Sequence, residues 1–184
     1  MNHEVAAYRK HKNLKIAAAE LGVAWQSLYV RLKKLGEPIT GDKLRYGTDR
    51  DKLGALGEAE FKRLVPFAVN ANDTKFQAKY DFDVAGHKVD IKASMPRQLN
   101  KRYAALAWSF SFKKQIMVCD FICCICFEKD KSISHILVVP HEFFNGLQTV
   151  SVSRNGGSKW LDYSIPADEI SAFFASLPAK KEQS

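Results

Sequence analysis

The sequence predicts an α/β protein preceded by a short all-helical unit, and three observations predict it. Apolar residues recur at helical spacing up to Gly36 and again from Leu53, then switch to period two from Tyr80 onward. The apolar content of 46% is enough to build a packed core, which argues against wholesale disorder. A chain of 184 residues fits one ordinary domain plus a small module.

Residues 1–36 read as the helical module. Lys15 to Leu21 is rich in helix formers, Gly22 interrupts, and Trp25, Leu28, Leu32 and Leu35 then fall on one helical face. Gly36 stands where a helix stop is expected, with Lys33 and Lys34 favourably placed in the last turn. Residues 37–52 are polar, with one proline and two glycines, and read as a linker.

Residues 53–178 read as the second domain. Leu53 to Val65 is helical, and Tyr80 to Lys92 is a β-hairpin about Ala85-Gly86. Strands are expected at Leu106–Phe112, Gln115–Glu128 and His135–Val139. A small hairpin of 149–154 and 158–165 would turn at Asn155-Gly156-Gly157. Asp168 to Leu177 reads as a closing helix capped near Pro166–Asp168, and residues 179–184 as a solvated tail.

Composition narrows the functions. The net charge is +8 with a pI near 9.3, which favours a polyanionic partner, most simply nucleic acid. No uncharged apolar run reaches the roughly 18 residues of a membrane span; the nearest, Ile116 to Phe127, contains Asp120. The first residues carry no apolar signal core, so a cytoplasmic protein without a membrane partner is expected. Strand alternation would send Cys119 and Cys123 to one face and Cys124 and Cys126 to the other. They read as small buried residues in a reducing compartment rather than as a metal site.

In the helical module, Ala18, Gly22 and Leu28 follow the spacing Ala-x3-Gly-x5-Leu. A small residue lets two helices cross closely, glycine permits the tight turn, and leucine packs back between them. The stretch NLKIAAAELGVAWQSLYVRLKKLG resembles the helix-turn-helix of bacterial DNA-binding proteins. The resemblance implies a recognition helix from about Ala24 to Leu35. Its outward residues Gln26, Ser27, Val30, Arg31, Lys33 and Lys34 are of base-contacting and phosphate-contacting types. Seven basic residues against Glu4 and Glu20 place +5 of the total charge in this fifth of the chain.

The most informative stretch is KYDFDVAGHKVDIKAS, Lys79 to Ser94. With the turn at Ala85-Gly86, Asp81 faces Asp90 across the hairpin, and Lys92 lies two residues further along the same face. A turn at Gly86-His87 would instead set Asp83 opposite Asp90. Facing like charges repel, and a divalent cation between them removes the cost. Hard carboxylate oxygens suit Mg²⁺, with Mn²⁺ as a substitute, and the Ile91 carbonyl could add another oxygen. A neighbouring lysine can orient an attacking water and stabilise charge on a phosphate.

This stretch resembles the PD-(D/E)xK nuclease superfamily, with its restriction-endonuclease-like core of a mixed sheet flanked by helices. Asp81 matches the first acidic position and Asp90-Ile91-Lys92 matches (D/E)xK, although Tyr80 stands where the proline would be. Leu56-Gly57-Glu58 matches the helix-borne glutamate of many members, with Glu60 as the competing position. Trp108-Ser109-Phe110 and Cys119-Asp120-Phe121 match later core strands.

The resemblance implies a Mg²⁺-dependent DNA endonuclease acting on duplex or branched DNA. Glu58, Asp81, Asp90 and Ile91 would surround the metal, and Lys92 would assist the water. Cutting two strands usually takes two sites, so a homodimer is an open expectation. The alternative is a DNA-binding transcriptional regulator with a non-catalytic nuclease-like domain. Ser94 could orient Lys92; Gln98, Lys101 and Arg102 could touch phosphates; His87, His135 and His141 read as bystanders.

Overall fold

The computed structural model describes residues 2–39, 45, 47–74, 78–98, 105–112 and 118–180. Three helices come first: α1 (His3–His11), α2 (Leu14–Glu20) and α3 (Trp25–Lys34). The Asn2 side chain accepts from the Glu4 amide and the Asn13 side chain from those of Lys15 and Ile16, so α1 and α2 each begin on an asparagine cap. Gly22 and Gly36, both at positive φ, close α2 and α3. The amides just beyond them, of Val23 and Glu37, reach back to the carbonyls of Ala18 and Leu32.

Ala7, Tyr8, Ala17, Ala18, Leu28 and Leu32 form the core of this unit. Leu28 and Leu32 are buried as expected. Trp25 and Leu35, expected on the same inward face, are 41% and 49% exposed. A three-helix unit this small covers only about one turn of α3, so both ends of the predicted stripe remain in solvent. Beyond α3, Glu37 is buried and takes a two-pronged hydrogen bond from Arg9, at 2.9 Å for both Nε and Nη2. The chain thus leaves the unit through a charge clamp.

The fourth helix, α4 (Asp49–Leu64), begins four residues before the expected boundary. Thr48 caps it in a reciprocal box: its hydroxyl accepts from the Asp51 amide, and Asp51 accepts from the Thr48 amide at 3.0 Å. The strands are β1 (Val69–Asn70), β2 (Phe82–Val84), β3 (His87–Ser94), β4 (Arg97–Gln98), β5 (Leu106–Ser111), β6 (Phe121–Phe127), β7 (Ile133–Pro140) and β8 (Thr149–Ser153), followed by helix α5 (Ile170–Ser176). No helix among the described residues is long and apolar enough to cross a membrane.

Two sheets result. The larger is mixed, in the order β1-β2-β3-β6-β7, with β3 and β6 parallel and every other neighbour antiparallel; the smaller is β4-β5-β8, all antiparallel. Strand β6 is apolar on both faces because both are covered. On one side Cys123, Ile125 and Phe127 join Phe61 of α4 and Ile170 and Phe174 of α5. On the other, Ile122, Cys124 and Cys126 pack with Trp108 and Phe110 of β5 and Val150 and Val152 of β8. All four cysteines are buried thiols outside any disulfide, but Cys119 falls with Cys124 and Cys126, not with Cys123. Residue 119 precedes the strand, so alternation does not govern it.

Two other expectations are corrected. Residues 158–165 do not pair with β8. Lys159–Tyr163 is a 3₁₀ turn that stacks Trp160 on Phe144 at 5.0 Å, while β8 pairs with β5 some forty residues earlier. The described part of 115–128 becomes strand only at Phe121, because Asp120 turns aside to accept the Lys88 amide; residues 115–117 lie outside the described set. Strand β7 runs beyond its expected limits at both ends, and α5 starts two residues later than Asp168.

Helix α4 packs on β3 through Gly57, where an added Cβ would sit 2.9 Å from the Ala93 Cβ; at Gly54, one turn earlier, nothing lies within 4 Å. Alanine is the better helix former by about 1 kcal/mol, but overpacking costs about 1–3 kcal/mol. Gly54→Ala is therefore expected to raise the melting temperature and Gly57→Ala to lower it by several degrees. Thermal unfolding of the two variants side by side checks this.

Candidate active site

The site is built on the β2–β3 hairpin. Ala85 (φ 54°) and Gly86 (φ 84°) form a two-residue turn with both residues left-handed, the conformation whose twist matches the flanking strands. Val84 pairs with His87, Asp83 with Lys88 and Phe82 with Val89, so the next residues outward are Asp81 and Asp90. Asp83 is occupied in the turn, where Oδ1 accepts from the Gly86 amide at 2.9 Å. The register thus brings Asp81 rather than Asp83 opposite Asp90. The Asp81 amide donates to the Val89 carbonyl at 3.0 Å, and its Oδ2 accepts from the Ile91 amide at 2.7 Å.

Asp90 is 1% exposed, and neither of its carboxylate oxygens accepts a hydrogen bond from the described residues. Its charge is met by the Lys92 ammonium, 2.5 Å from Oδ2. Behind the pair lies an apolar wall. Burial and then the Asp90 charge push the Cys119 thiol up to about 12, and burial raises Cys124 as well. Ile91 turns its side chain the other way, into the core shared with α4.

The electrostatics follow from this enclosure. Burial raises the Asp81 carboxyl to about 7, with the charges of Asp90 and then Glu58 adding to it; the Ile91 amide and Lys92 oppose the rise. Asp81 keeps an edge open to solvent, so the shift reflects a poorly solvated pair rather than a sealed one. Asp90 is likewise raised by burial and held back by Lys92. Glu58 follows Gly57 on α4, and the close contact at Gly57 brings its charge within reach of Asp81. Glu60 pairs with Arg63 at 2.8 Å, away from this group.

The structure therefore brings Asp81, Asp90 and Lys92 together, with Glu58 near enough for its charge to act on Asp81. Among the described residues no three His, Cys, Asp or Glu side chains converge tightly enough to enclose a metal by themselves. The group is an open one, with two poorly solvated carboxylates at its centre. Poorly solvated carboxylate oxygens with few donors are the ligands a hard cation fits, and Mg²⁺ commonly keeps part of its shell as water or phosphate oxygens. The donor set fits such an ion.

Other expected residues lie elsewhere. The Ser94 hydroxyl accepts from the Ser109 amide at 3.0 Å and donates to the Met95 carbonyl at 3.3 Å, so it joins β3 to β5 rather than orienting Lys92. His135 lies edge-on to Trp108 at 5.6 Å, and the His141 Nδ1 is 3.4 Å from Glu142. Gln98 is exposed on β4; Lys101 and Arg102 fall outside the described residues. On α3, Gln26, Ser27, Arg31, Lys33 and Lys34 are exposed, but Arg31 donates to the buried Glu4 at 2.7 Å.

Sequence reasoning missed a strap over the hairpin turn. Residues 179–180, expected to be solvated, lie across it. The Lys180 amide donates to the Ala85 carbonyl at 3.1 Å, its ammonium pairs with Asp120 at 2.5 Å, and the His87 Nε2 meets the Pro178 carbonyl at 2.9 Å. A Cβ on Gly86 would run into the Lys180 carbonyl oxygen. Asp120 also holds the Lys88 amide, so one carboxylate ties the strap, β3 and the start of β6. No local sequence signal marks this contact.

By fold and site the chain is an α/β protein whose mixed sheet presents an acidic pair and a lysine at the base of a hairpin. The solved structure of a bacterial homing endonuclease, I-Ssp6803I, is similar over 67% of this chain and 92% of that one, at 15% identity and a TM-score of 0.45. No protein-family model matches the chain, and no curated protein matches its sequence.

Two outcomes are expected. An acid raised on folding makes the folded state take up protons first, so its stabilisation is full below about 4 and fades as pH rises through about 7. The metal-free protein should lose on the order of 1–3 kcal/mol of stability between those pH values, and Asp81→Asn should flatten the slope, as read by denaturant melts. If the strap rests on the turn in solution, Gly86→Ala should cost more stability in the full chain than in one ending at Leu177, where only the φ strain remains. A double-mutant cycle measures the difference.

Proposed function

We propose that this protein is a metal-dependent DNA endonuclease that uses Mg²⁺, with Mn²⁺ able to replace it, and that its three-helix unit acts as a helix-turn-helix on duplex DNA. The observation that carries the reading is Asp90: a carboxylate 1% exposed, facing Asp81, with the Lys92 ammonium as the one donor group against it among the described residues. A structural role alone gives no reason to bury two facing carboxylates beside one lysine, since like charges in a poorly solvated site are destabilising.

In this reading Asp81 and Asp90 hold the cation, with Glu58 contributing directly or through water. The cation's chemistry is to neutralise the carboxylate pair and stabilise charge on the phosphate. Lys92 stands beside Asp90, where its ammonium orients a water for in-line attack and balances charge on the phosphate oxygens. Asp81 is held in place by the Ile91 amide, so its carboxylate stays aimed at Asp90. The apolar wall behind Asp90 excludes bulk water and strengthens each of these interactions. Hydrolysis would leave 5′-phosphate and 3′-hydroxyl ends.

Plasmid cleavage by the purified chain at a few millimolar Mg²⁺ tests the reading. Lys92→Ala and Asp90→Ala should each lose at least 10²-fold in rate while a gel shift in Ca²⁺ shows DNA binding retained. Binding without cleavage of plasmid, flap and junction substrates by the wild type would instead identify a DNA-binding regulator.

A further inference from the structure

The exposed apolar side chains are unevenly placed. Of the eight large ones among the described residues, Trp25 (41%), Tyr29 (41%), Val30 (50%) and Leu35 (49%) lie within eleven residues of α3 and its end. Single exposed apolar residues are ordinary, but a contiguous group marks a contact surface. At 3.6 residues per turn, Trp25, Tyr29, Lys33, Gln26 and Val30 share one face, which begins with Trp25 beside the buried Leu32 and turns away from it toward Val30. Ser27, Arg31 and Lys34 flank it.

The face and its flank differ in chemistry. Arg31 is anchored by Glu4, a carboxylate on α1 that is only 7% exposed, so its guanidinium is held in one orientation at the rim with its charge balanced from behind. Lys33 and Lys34 add charge at the C-terminal end, and the whole unit carries an excess of five positive charges. Such a rim suits phosphates. The face itself is mixed: two aromatic rings, one valine and one glutamine, with the Lys33 ammonium among them. In the major groove the group that an apolar side chain contacts is the thymine 5-methyl, and the base a glutamine pairs with bidentately is adenine. Both belong to A·T pairs.

We propose that α3 reads duplex DNA chiefly through thymine 5-methyl groups, with Val30, Tyr29 and Trp25 supplying the apolar contacts, Gln26 an adenine contact, and Arg31 a prepositioned phosphate clamp. This rests on the DNA-binding part of the proposed function and not on the nuclease chemistry. It names A·T-rich duplex as the partner of a helix face that no other described residue buries, on the ground that its apolar side chains stand beside Lys33, Lys34 and Arg31, positive charge complementary to a polyanion.

The test is site selection from a random duplex library with the full chain in Ca²⁺, which permits binding to be read without cleavage. Selected duplexes are then rebuilt with deoxyuridine in place of thymidine. Enriched sites should carry clustered A·T pairs, and affinity by gel shift should fall about fourfold for each contacted methyl removed, the equivalent of roughly 0.8 kcal/mol of apolar burial. Val30→Ser and Tyr29→Ser, both at exposed positions, should keep the wild-type melting temperature and lose that sensitivity to uridine. Tight binding that is indifferent to uridine would overturn the methyl readout while leaving DNA binding standing. Absence of duplex binding, or wild-type self-association that Trp25→Ser abolishes, would overturn it in favour of a protein contact on this face. Failure of cleavage alone would count against the nuclease reading and leave this result intact.

Discussion

The rest of the molecule is arranged around one unfavourable contact. A two-residue turn leaves the hairpin a single register, and that register sets the carboxylates of Asp81 and Asp90 against each other where water is scarce. Left alone, such a pair would spread the strands or shift their pairing. Here the register is held from three directions. The Ile91 amide binds Asp81, α4 presses on β3 through Gly57, and β6 pairs alongside β3 over six residues. The repulsion is then confined to the place where a cation can relieve it.

The two cores divide the work of that confinement. One, under α4 and α5, fixes the back of β3 through Val89 and Ile91. The other, between β6–β7 and the small sheet, supplies the dry wall beside Asp90. The sheets are stitched by two polar contacts as well as by packing: the Ser94 hydroxyl to the Ser109 amide, and the Trp108 indole to the Phe127 carbonyl at 2.8 Å. Because both contacts use backbone groups, they tolerate changes in the surrounding apolar side chains better than side-chain pairs would.

How far the sequence disclosed this depended on the range of the interaction. The hairpin was legible because turn, alternation and acidic spacing all lie within sixteen residues, and Glu58 because its helix carries its own periodicity. The start of α4 was missed: Thr48 and Asp51 form its capping box, but the polar stretch around them read as linker. Non-local pairing was not legible. Val150 and Val152 alternate equally well for a local hairpin, and nothing near them names β5 as the partner. Trp25 and Leu35 misled because periodicity reports which residues share a face, not how much of that face a small unit can cover. Lys180 was invisible for the same reason as β8: its partners, Ala85 and Asp120, lie 95 and 60 residues away.

The parallel pairing of β3 with β6 also bears on the order in which the molecule can assemble. Hairpin contacts close over loops of a few residues, whereas β6 joins from about thirty residues downstream, after the small sheet's β5 has been threaded between them. Short loops close first because their entropy cost is smaller. The two carboxylates therefore meet while still hydrated, and their water is stripped only when the later strand arrives. The dehydration of the acidic pair falls on the long-range step, which makes docking of β6 the natural bottleneck of folding and the hairpin its early but unfinished half.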